Sequence, residues 1–268
     1  MTETGISPSV DAPIQALSPS NGDTTPLRTL CADLHARITA FLQEDVPTER
    51  LRNVQAQCRH SLSIISEALE KYPLETLSLS YNGGKDCLVL LVLYLSLLST
   101  HPSLPAALPS ILIPPPHPFP SVDAFIATSS TKYHLSLSQY TSPSMKAAFA
   151  DYLSGTGRSI RAIMVGTRRT DPHGAKLSAF DPTDHGWPGF MRVHPVLEWR
   201  YAEVWAFLRH LGVEYCGLYD EGYTSLGGTN DTRPNPKLRV VEEGRVWYRP
   251  AYELEADEEE RLGREGLG

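Results

Sequence analysis

The stretch that decides the fold is residues 77–100, LSLSYNGGKDCLVLLVLYLSLLST. Leu77-Ser-Leu-Ser80 alternates apolar and polar residues, which predicts a short strand ending at Ser80. Residues 81–86 contain two adjacent glycines and predict a tight turn. Residues 87–98 are almost wholly apolar, without Gly or Pro, and predict a helix buried on all sides against a sheet. Strand, glycine turn and helix, in that order, build a phosphate cradle in α/β proteins. Gly83 and Gly84 permit positive φ and close backbone approach, and amides at a helix start face an anion. Lys85 adds a mobile positive charge at the same place. A Gly-Gly turn on its own is most often only a turn, so this reading depends on the rest of the chain. GxxxxGK[ST] is absent because Asp86 follows Lys85, and GxGxxG is absent too. Kinase-type NTPases and nicotinamide dehydrogenases are therefore poorly supported.

A chain of 268 residues, 41% apolar and 21% charged, has the composition of a soluble globular protein with ample core. Its formal net charge of −7 argues against non-specific nucleic-acid binding, which leans on a basic surface. Cys31, Cys58, Cys87 and Cys216 are far apart and form no CxxC pair. That argues against zinc and a disulfide framework, and fits a reducing compartment. The first 25 residues have no basic start, apolar run or arginine, so no secretory or mitochondrial signal is expected. The apolar run at 87–98 is far short of the roughly 20 residues that span a bilayer. The expectation is a cytoplasmic protein with no membrane or nucleic-acid partner.

Residues 1–25, rich in Ser, Pro, Thr and Gly, read as a disordered tail. Apolar spacing predicts amphipathic helices over 27–42 and 51–72, the second stopped by Pro73, and together a helical cap over 26–73. The catalytic domain is expected over 74–268. Within it, Ile111-Leu-Ile113 predicts a second strand, stopped by Pro114-Pro-Pro116. That proline run is either a surface loop or a strand end forming part of a site. A short helix over 121–130, a strand over 133–138, a helix over 144–154 closed by Gly155 and a buried strand over 162–166 follow. The alternation predicts an α/β fold with a mostly parallel twisted sheet and helices on both faces. Ligands of such sheets bind beyond the C-terminal strand ends, at the switch point.

A second concentration of chemistry leaves the strand at 162–166: Gly166-Thr-Arg-Arg-Thr-Asp-Pro172. By themselves Arg168 and Arg169 read as solvated, or as partners of Asp171. Beside a phosphate cradle the balance moves toward anion contacts, since guanidinium forks bind phosphate bidentately.

Ser80-Tyr-Asn-Gly-Gly-Lys-Asp-Cys87 resembles the pyrophosphate loop of the ATP pyrophosphatase group, and most closely that of eukaryotic FAD synthases and the related PAPS reductases. The likeness to FAD synthases continues through Gly166–Pro172, through Thr183-Asp-His-Gly-Trp-Pro-Gly-Phe-Met-Arg192, and through Val193-His-Pro-Val-Leu-Glu-Trp-Arg200 with the helix expected after it. It extends to Gly217-Leu-Tyr219, Thr224-Ser-Leu-Gly-Gly-Thr-Asn230 and Pro234-Asn-Pro236. Pro250-Ala-Tyr-Glu-Leu254 follows, and Arg261-Leu-Gly-Arg264 is similar to the family's C-terminal arginine pair. In all it covers about residues 75–265, in the stand-alone fungal arrangement.

The resemblance implies an FMN adenylyltransferase, a nucleotidyltransferase that turns ATP and FMN into FAD and pyrophosphate with Mg2+, as a monomer. It implies that Ser80, Tyr81, Asn82, Gly83, Gly84, Lys85, Asp86, Ile113, Gly166, Thr167 and Arg168 bind ATP. Asn82 or Asp86 would assist Mg2+, which is held mostly through phosphates and water. Asn82, Lys85, Asp86, Arg168, Asp171 and Asp184 would form the catalytic set. Arg168 and Asp171 would face the reacting phosphates or ribose, and Asp184 would contact the flavin or orient its neighbours. Asp171, Asp184, Trp187, Arg192, Arg261 and Arg264 would bind FMN. Trp187 is either a ring neighbour of the isoalloxazine or an ordinary core aromatic. Arg261 and Arg264 either close over the FMN phosphate or pair with the acidic run at 253–260 on a solvated helix. Cys87 is assigned no catalytic role. Two alternatives stand beside this one. A PAPS reductase-like enzyme would need a nucleophilic cysteine in its C-terminal segment, yet none follows Cys216. A non-enzymatic ATP- or flavin-binding regulator would bind ATP without turnover.

Overall fold

The computed structural model describes residues 25–265, so the tail expected over 1–25 lies, apart from Thr25, outside the described residues. The predicted centre is present. Strand β1 (Leu77–Ser80) runs through a glycine turn into helix α3 (Lys85–Leu97). Helix α3 starts two residues earlier than expected, which brings Lys85 and Asp86 into its first turn. Along β1 the side chains alternate between faces. Leu77 and Leu79 enter the larger core, while the Ser78 hydroxyl meets the Tyr152 hydroxyl at 2.8 Å on the other face.

Around β1 the chain adds β2 (Leu108–Leu112), α4 (Pro120–Lys132), β3 (Leu135–Gln139), α5 (Met145–Ser154) and β4 (Ala162–Met164). Ser144 caps α5 by accepting the Ala147 N–H. Two short strands that the periodicity does not reveal, β5 (Phe180–Pro182) and β6 (Met191–Val193), complete the sheet. The strand order is β3-β2-β1-β4-β6-β5, parallel throughout except for β5, which runs antiparallel to β6. Because β1 pairs with β2 on one side and β4 on the other, the order reverses between β1 and β4. That switch point opens a crevice above the strand ends.

Helices α1 (Leu27–Gln43) and α2 (Glu49–Lys71) lie against α3, and α2 also lies against α6 (Tyr201–His210). Their apolar stripes, including Leu34, Ile38, Phe41, Val54, Cys58 and Ile65, enter one core with Leu77, Leu79 and all faces of α3. The pair expected as a cap is thus a layer of the main core. A smaller core on the opposite face joins Ile111 and Ile163 to Phe149, Tyr152 and Phe190. A hairpin of β7 (Arg239–Glu242) and β8 (Arg245–Tyr248) stands apart from the main sheet. Its turn places Glu243 and Gly244 both at positive φ, the requirement of a two-residue hairpin loop.

Helix α3 is the member most enclosed by the others. Leu91→Ala removes a fully buried side chain. It should lower the unfolding free energy by about 2–5 kcal/mol in chemical denaturation. A loss below 1 kcal/mol would mean that α3 is not the centre of the core.

Candidate active site

A cavity of about 810 Å³ lies at the C-terminal ends of β1, β2 and β4. One wall is the loop from Ser80 to Asp86, facing Ile113, Pro114, Pro115, Pro116 and Pro118. The proline run is therefore a strand end that shapes a site. An aromatic cluster of Phe149, Trp187 and Phe190 also lines it, together with Arg192. Arg261 and Arg264 come in from the C-terminal segment. Thr167, Gly166 and Asp171 close the floor.

Gly83 has φ 71°, and a Cβ there would stand 2.8 Å from Ile126, so only glycine serves. A Cβ on Gly166 would meet the Cys87 nitrogen and sulfur at 3.0 Å each, so glycine lets the two loops touch. The amides at the helix start are not all open to an anion, as had been expected. Gly84 N–H donates to Asn82 Oδ1 (3.0 Å), and Lys85 N–H donates to the Tyr219 hydroxyl (3.1 Å). Asn82 thus braces the loop from within, and Tyr219 caps α3.

The charges behind the loop form a closed ring of alternating sign. Lys85 Nζ bonds Asp86 Oδ2 (3.1 Å) and Glu260 Oε1. Arg168 pairs through Nε with Asp86 Oδ1 (2.8 Å) and through Nη2 with Glu260 Oε2. Each carboxylate bridges both cations. Asp257 Oδ1 (3.3 Å from Nη1) and Asp171 Oδ1 (3.7 Å from Nη2) attach to Arg168 from outside the ring. Arg168 is 0% exposed and absent from the cavity wall. It was expected to face the phosphates; instead it holds from behind the carboxylates that do line the site. Arg169 points away and pairs with Glu198.

Burial pushes the Asp86 carboxyl up, but Arg168 and Lys85 outweigh it and hold the group below the usual carboxylate range. Burial works against the Lys85 charge, yet Asp86 and Glu260 more than restore it, so Lys85 remains an ammonium. Asp171 goes the other way, raised by burial and by the nearby Asp86 charge. Cys87, on the cavity wall, is pushed up to about 12 by burial and by Asp86. It is a thiol at neutral pH, as its assignment outside the chemistry requires.

The aromatic wall follows from the turn at residues 183–190. Asp184 O accepts the Trp187 N–H (2.9 Å), and Thr183 Oγ1 bonds across to Pro188 O (2.7 Å) and Phe190 O. Trp187 thereby lies tilted on Phe149 at 6.1 Å between centroids while lining the cavity, so it is both core neighbour and wall. The Asp184 side chain is 66% exposed beside His185 and is not on the cavity wall. Its main-chain oxygen holds the turn, while its carboxylate meets only His185 at 3.2 Å.

The C-terminal arginines are not on a solvated helix. Asp257–Glu259 is a single 3₁₀ turn, and the chain then runs as a strap bridged to Thr232. Arg264 pairs with Asp231 (3.3 Å) and lies over Gly227, where a Cβ would stand 2.4 Å from its guanidinium. Arg261 has no ion-pair partner among the described residues. Sequence reasoning missed Glu260, Asp257, Tyr219 and His194. Nothing in the acidic run distinguishes its buried members, but Tyr219 lies in a segment that had been matched. His194 is 2% exposed, borders the cavity and has neither ring nitrogen hydrogen-bonded.

The family model described as the phosphoadenosine phosphosulfate reductase domain matches residues 76–156 and 145–234. A Schizosaccharomyces pombe protein named probable FAD synthase is 40% identical, over 86% of this chain and 87% of its own. The chain belongs to the FAD synthase family. A Caenorhabditis elegans probable FAD synthase is 39% identical over 88% of this chain, which spans 45% of that longer relative. The crystal structure of Candida glabrata FMN adenylyltransferase with FMN and the ATP analogue AMPCPP superposes with a TM-score of 0.83 at 30% identity. It covers 89% of this chain and 99% of that one. Fold and family therefore agree, and the sheet of this FAD synthase relative carries the PAPS reductase-like topology.

Two outcomes follow for the ring and its surroundings. Arg168→Ala leaves Asp86 and Glu260 with Lys85 alone and takes from Asp171 and Asp257 their cation, and should lower stability by about 3–5 kcal/mol in denaturant titration. A loss under 1 kcal/mol would contradict the buried network. Burial, then the Arg192 charge, lower the His194 pKa from 6.5 to about 4. The unfolded chain takes up that proton first, so stability present above pH 6.5 is lost as the pH falls toward 4. The slope is at most about 1.4 kcal/mol per pH unit. His194→Gln should flatten that part of the Tm–pH curve; an unchanged slope would assign it to other groups.

Proposed function

We propose that this chain transfers AMP from ATP to the phosphate of FMN, giving FAD and pyrophosphate. The observation that carries this is the union, in one cavity, of a glycine phosphate loop with an aromatic wall. Arg261 and Arg264 line the same cavity. The phosphate loop suits the nucleotide triphosphate, and the flat faces of Trp187, Phe149 and Phe190 suit a large fused ring. Family membership and the FMN and AMPCPP bound by the Candida relative support the same assignment.

The chemistry asks little proton transfer of the protein. A phosphate monoester has a second pKa of about 6, so FMN arrives mostly as a dianion and needs no general base. Its oxygen attacks the α-phosphorus; that O–P bond forms as the bond to the bridging oxygen breaks, and pyrophosphate leaves with the electron pair. Two anions must be brought into line and the leaving charge neutralised. Lys85, fixed by Asp86 and Glu260, shares the cavity wall with Asn82 and Gly84 of the loop, whereas Gly83 is buried against Ile126 behind it. Arg261 and Arg264 meet the acceptor phosphate, Arg192 and Trp187 the flavin side, and Ile113 with its prolines the adenine side. Asn82, Asp86 and Asp171 bring hard oxygen donors to the cavity, the ligand type Mg2+ takes alongside phosphates and water. When bound there, Mg2+ neutralises phosphate charge and orients the leaving group.

A thiol-redox reaction is less well supported, because Cys87 is the cavity's thiol and is held protonated. The test is FAD by HPLC and pyrophosphate release from ATP, FMN and Mg2+ with the purified chain. FMN-dependent products in equal amounts are expected, abolished by excess EDTA and restored by Mg2+. Lys85→Ala should lower kcat/KM by roughly 10²–10³-fold. Bound ATP without any FAD would contradict the assignment.

A further inference from the structure

Glu260 occupies an unusual place. Its carboxylate closes the ring between Lys85 and Arg168, while the next residue in the chain is Arg261 on the cavity wall. The carboxylate is 4% exposed and stands on both cations through different oxygens. Its backbone is held as well. The Thr224 hydroxyl donates to Glu260 O (2.6 Å), and Asn235 Nδ2 donates to both Thr224 Oγ1 (2.9 Å) and Glu259 O (2.8 Å).

The segment that carries the two arginines therefore reaches Lys85 of the phosphate loop through Glu260, while Asp257 ties the start of the same segment to Arg168 alone (3.3 Å). Farther along, the ties are to a different loop, through the Arg233 N–H to Gly263 O (2.8 Å) and the Arg264–Asp231 pair. The loop at 82–86, by contrast, is placed by β1, by α3 and by its own Asn82 and Tyr219 bonds, none of which needs Glu260.

We infer that Glu260 is a positioning residue that sets Arg261 and Arg264 against the acceptor phosphate, by tethering the C-terminal strap to Lys85 and Arg168. Its effect falls on the acceptor and not on ATP. Removing its charge leaves the loop's other supports in place, and Asp86 still holds Lys85 at 3.1 Å. It also uncouples the strap from the loop. The inference rests on the proposed function for the identity of the acceptor, FMN.

Glu260→Gln keeps the shape but offers an acceptor to only one of the two cations. Flavin-fluorescence titration of the full chain should show FMN binding weakened at least tenfold, with AMPCPP affinity within threefold of wild type. Amide hydrogen exchange over residues 257–264, measured without ligand, should accelerate. Thr224→Val, which keeps every ring charge, should show the same pattern at smaller amplitude. FMN affinity within threefold of wild type in Glu260→Gln would overturn the inference. So would FMN and AMPCPP weakening by the same factor together with a lower Tm, which would make the ring a support for the fold alone. A wild-type chain that binds both ligands yet forms no FAD would overturn the assigned reaction, while the binding and exchange comparisons would still judge Glu260.

Discussion

Two cations and two carboxylates form the ring of Lys85, Asp86, Arg168 and Glu260, three of them buried and Asp86 partly open to the cavity. Each of these charges alone would cost several kcal/mol to remove from water. Attraction repays that only where every charge meets more than one opposite neighbour in good geometry, and here each touches two. The consequence is strict. The helix start, the loop after β4 and the C-terminal strap must arrive together, or each leaves a charge stranded in the interior.

This constraint connects the fold to the site. Strands β1 and β4 pair directly, which sets the loop carrying Asp86 beside the one carrying Arg168. Gly166 lets them touch at Cys87. The strap then brings Glu260 to the ring and, in the same stroke, Arg261 and Arg264 to the cavity. A site that must align two anionic phosphates needs fixed positive charge that does not reorganise during the reaction. The ring supplies this for Lys85, whose ammonium is held at two corners, and it leaves Arg168 as the support behind the wall.

The centre of this arrangement was legible because local and tertiary preferences coincide there. LSLS, two glycines and an unbroken apolar run each favour the structure that the chain adopts. The helix after Arg200 was expected through the resemblance and not from its own spacing. Strands β5 and β6 could not be found: with three residues each, they are too short to show alternation. The β7–β8 hairpin has a local signal in Glu243-Gly244 between the β-prone runs RVVE and RVWY. Glu260 and Asp257 were illegible for another reason. In EADEEE, composition says only that the run is acidic, and the placing of Glu260 and Asp257 depends on cations 89 to 175 residues away. Arg168 illustrates the same limit. Its residue type suits phosphate, but only the packing reveals that carboxylates already surround it.

The central claim is that these four residues act as one unit. A double-mutant cycle in chemical denaturation, using Asp86→Asn, Glu260→Gln and the combination, tests it most directly. Both residues bridge the same two cations, so the losses should be strongly non-additive, with a coupling energy of about 1 kcal/mol or more. Additivity within about 0.5 kcal/mol would mean that the two carboxylates act independently, and that no closed ring holds the site together.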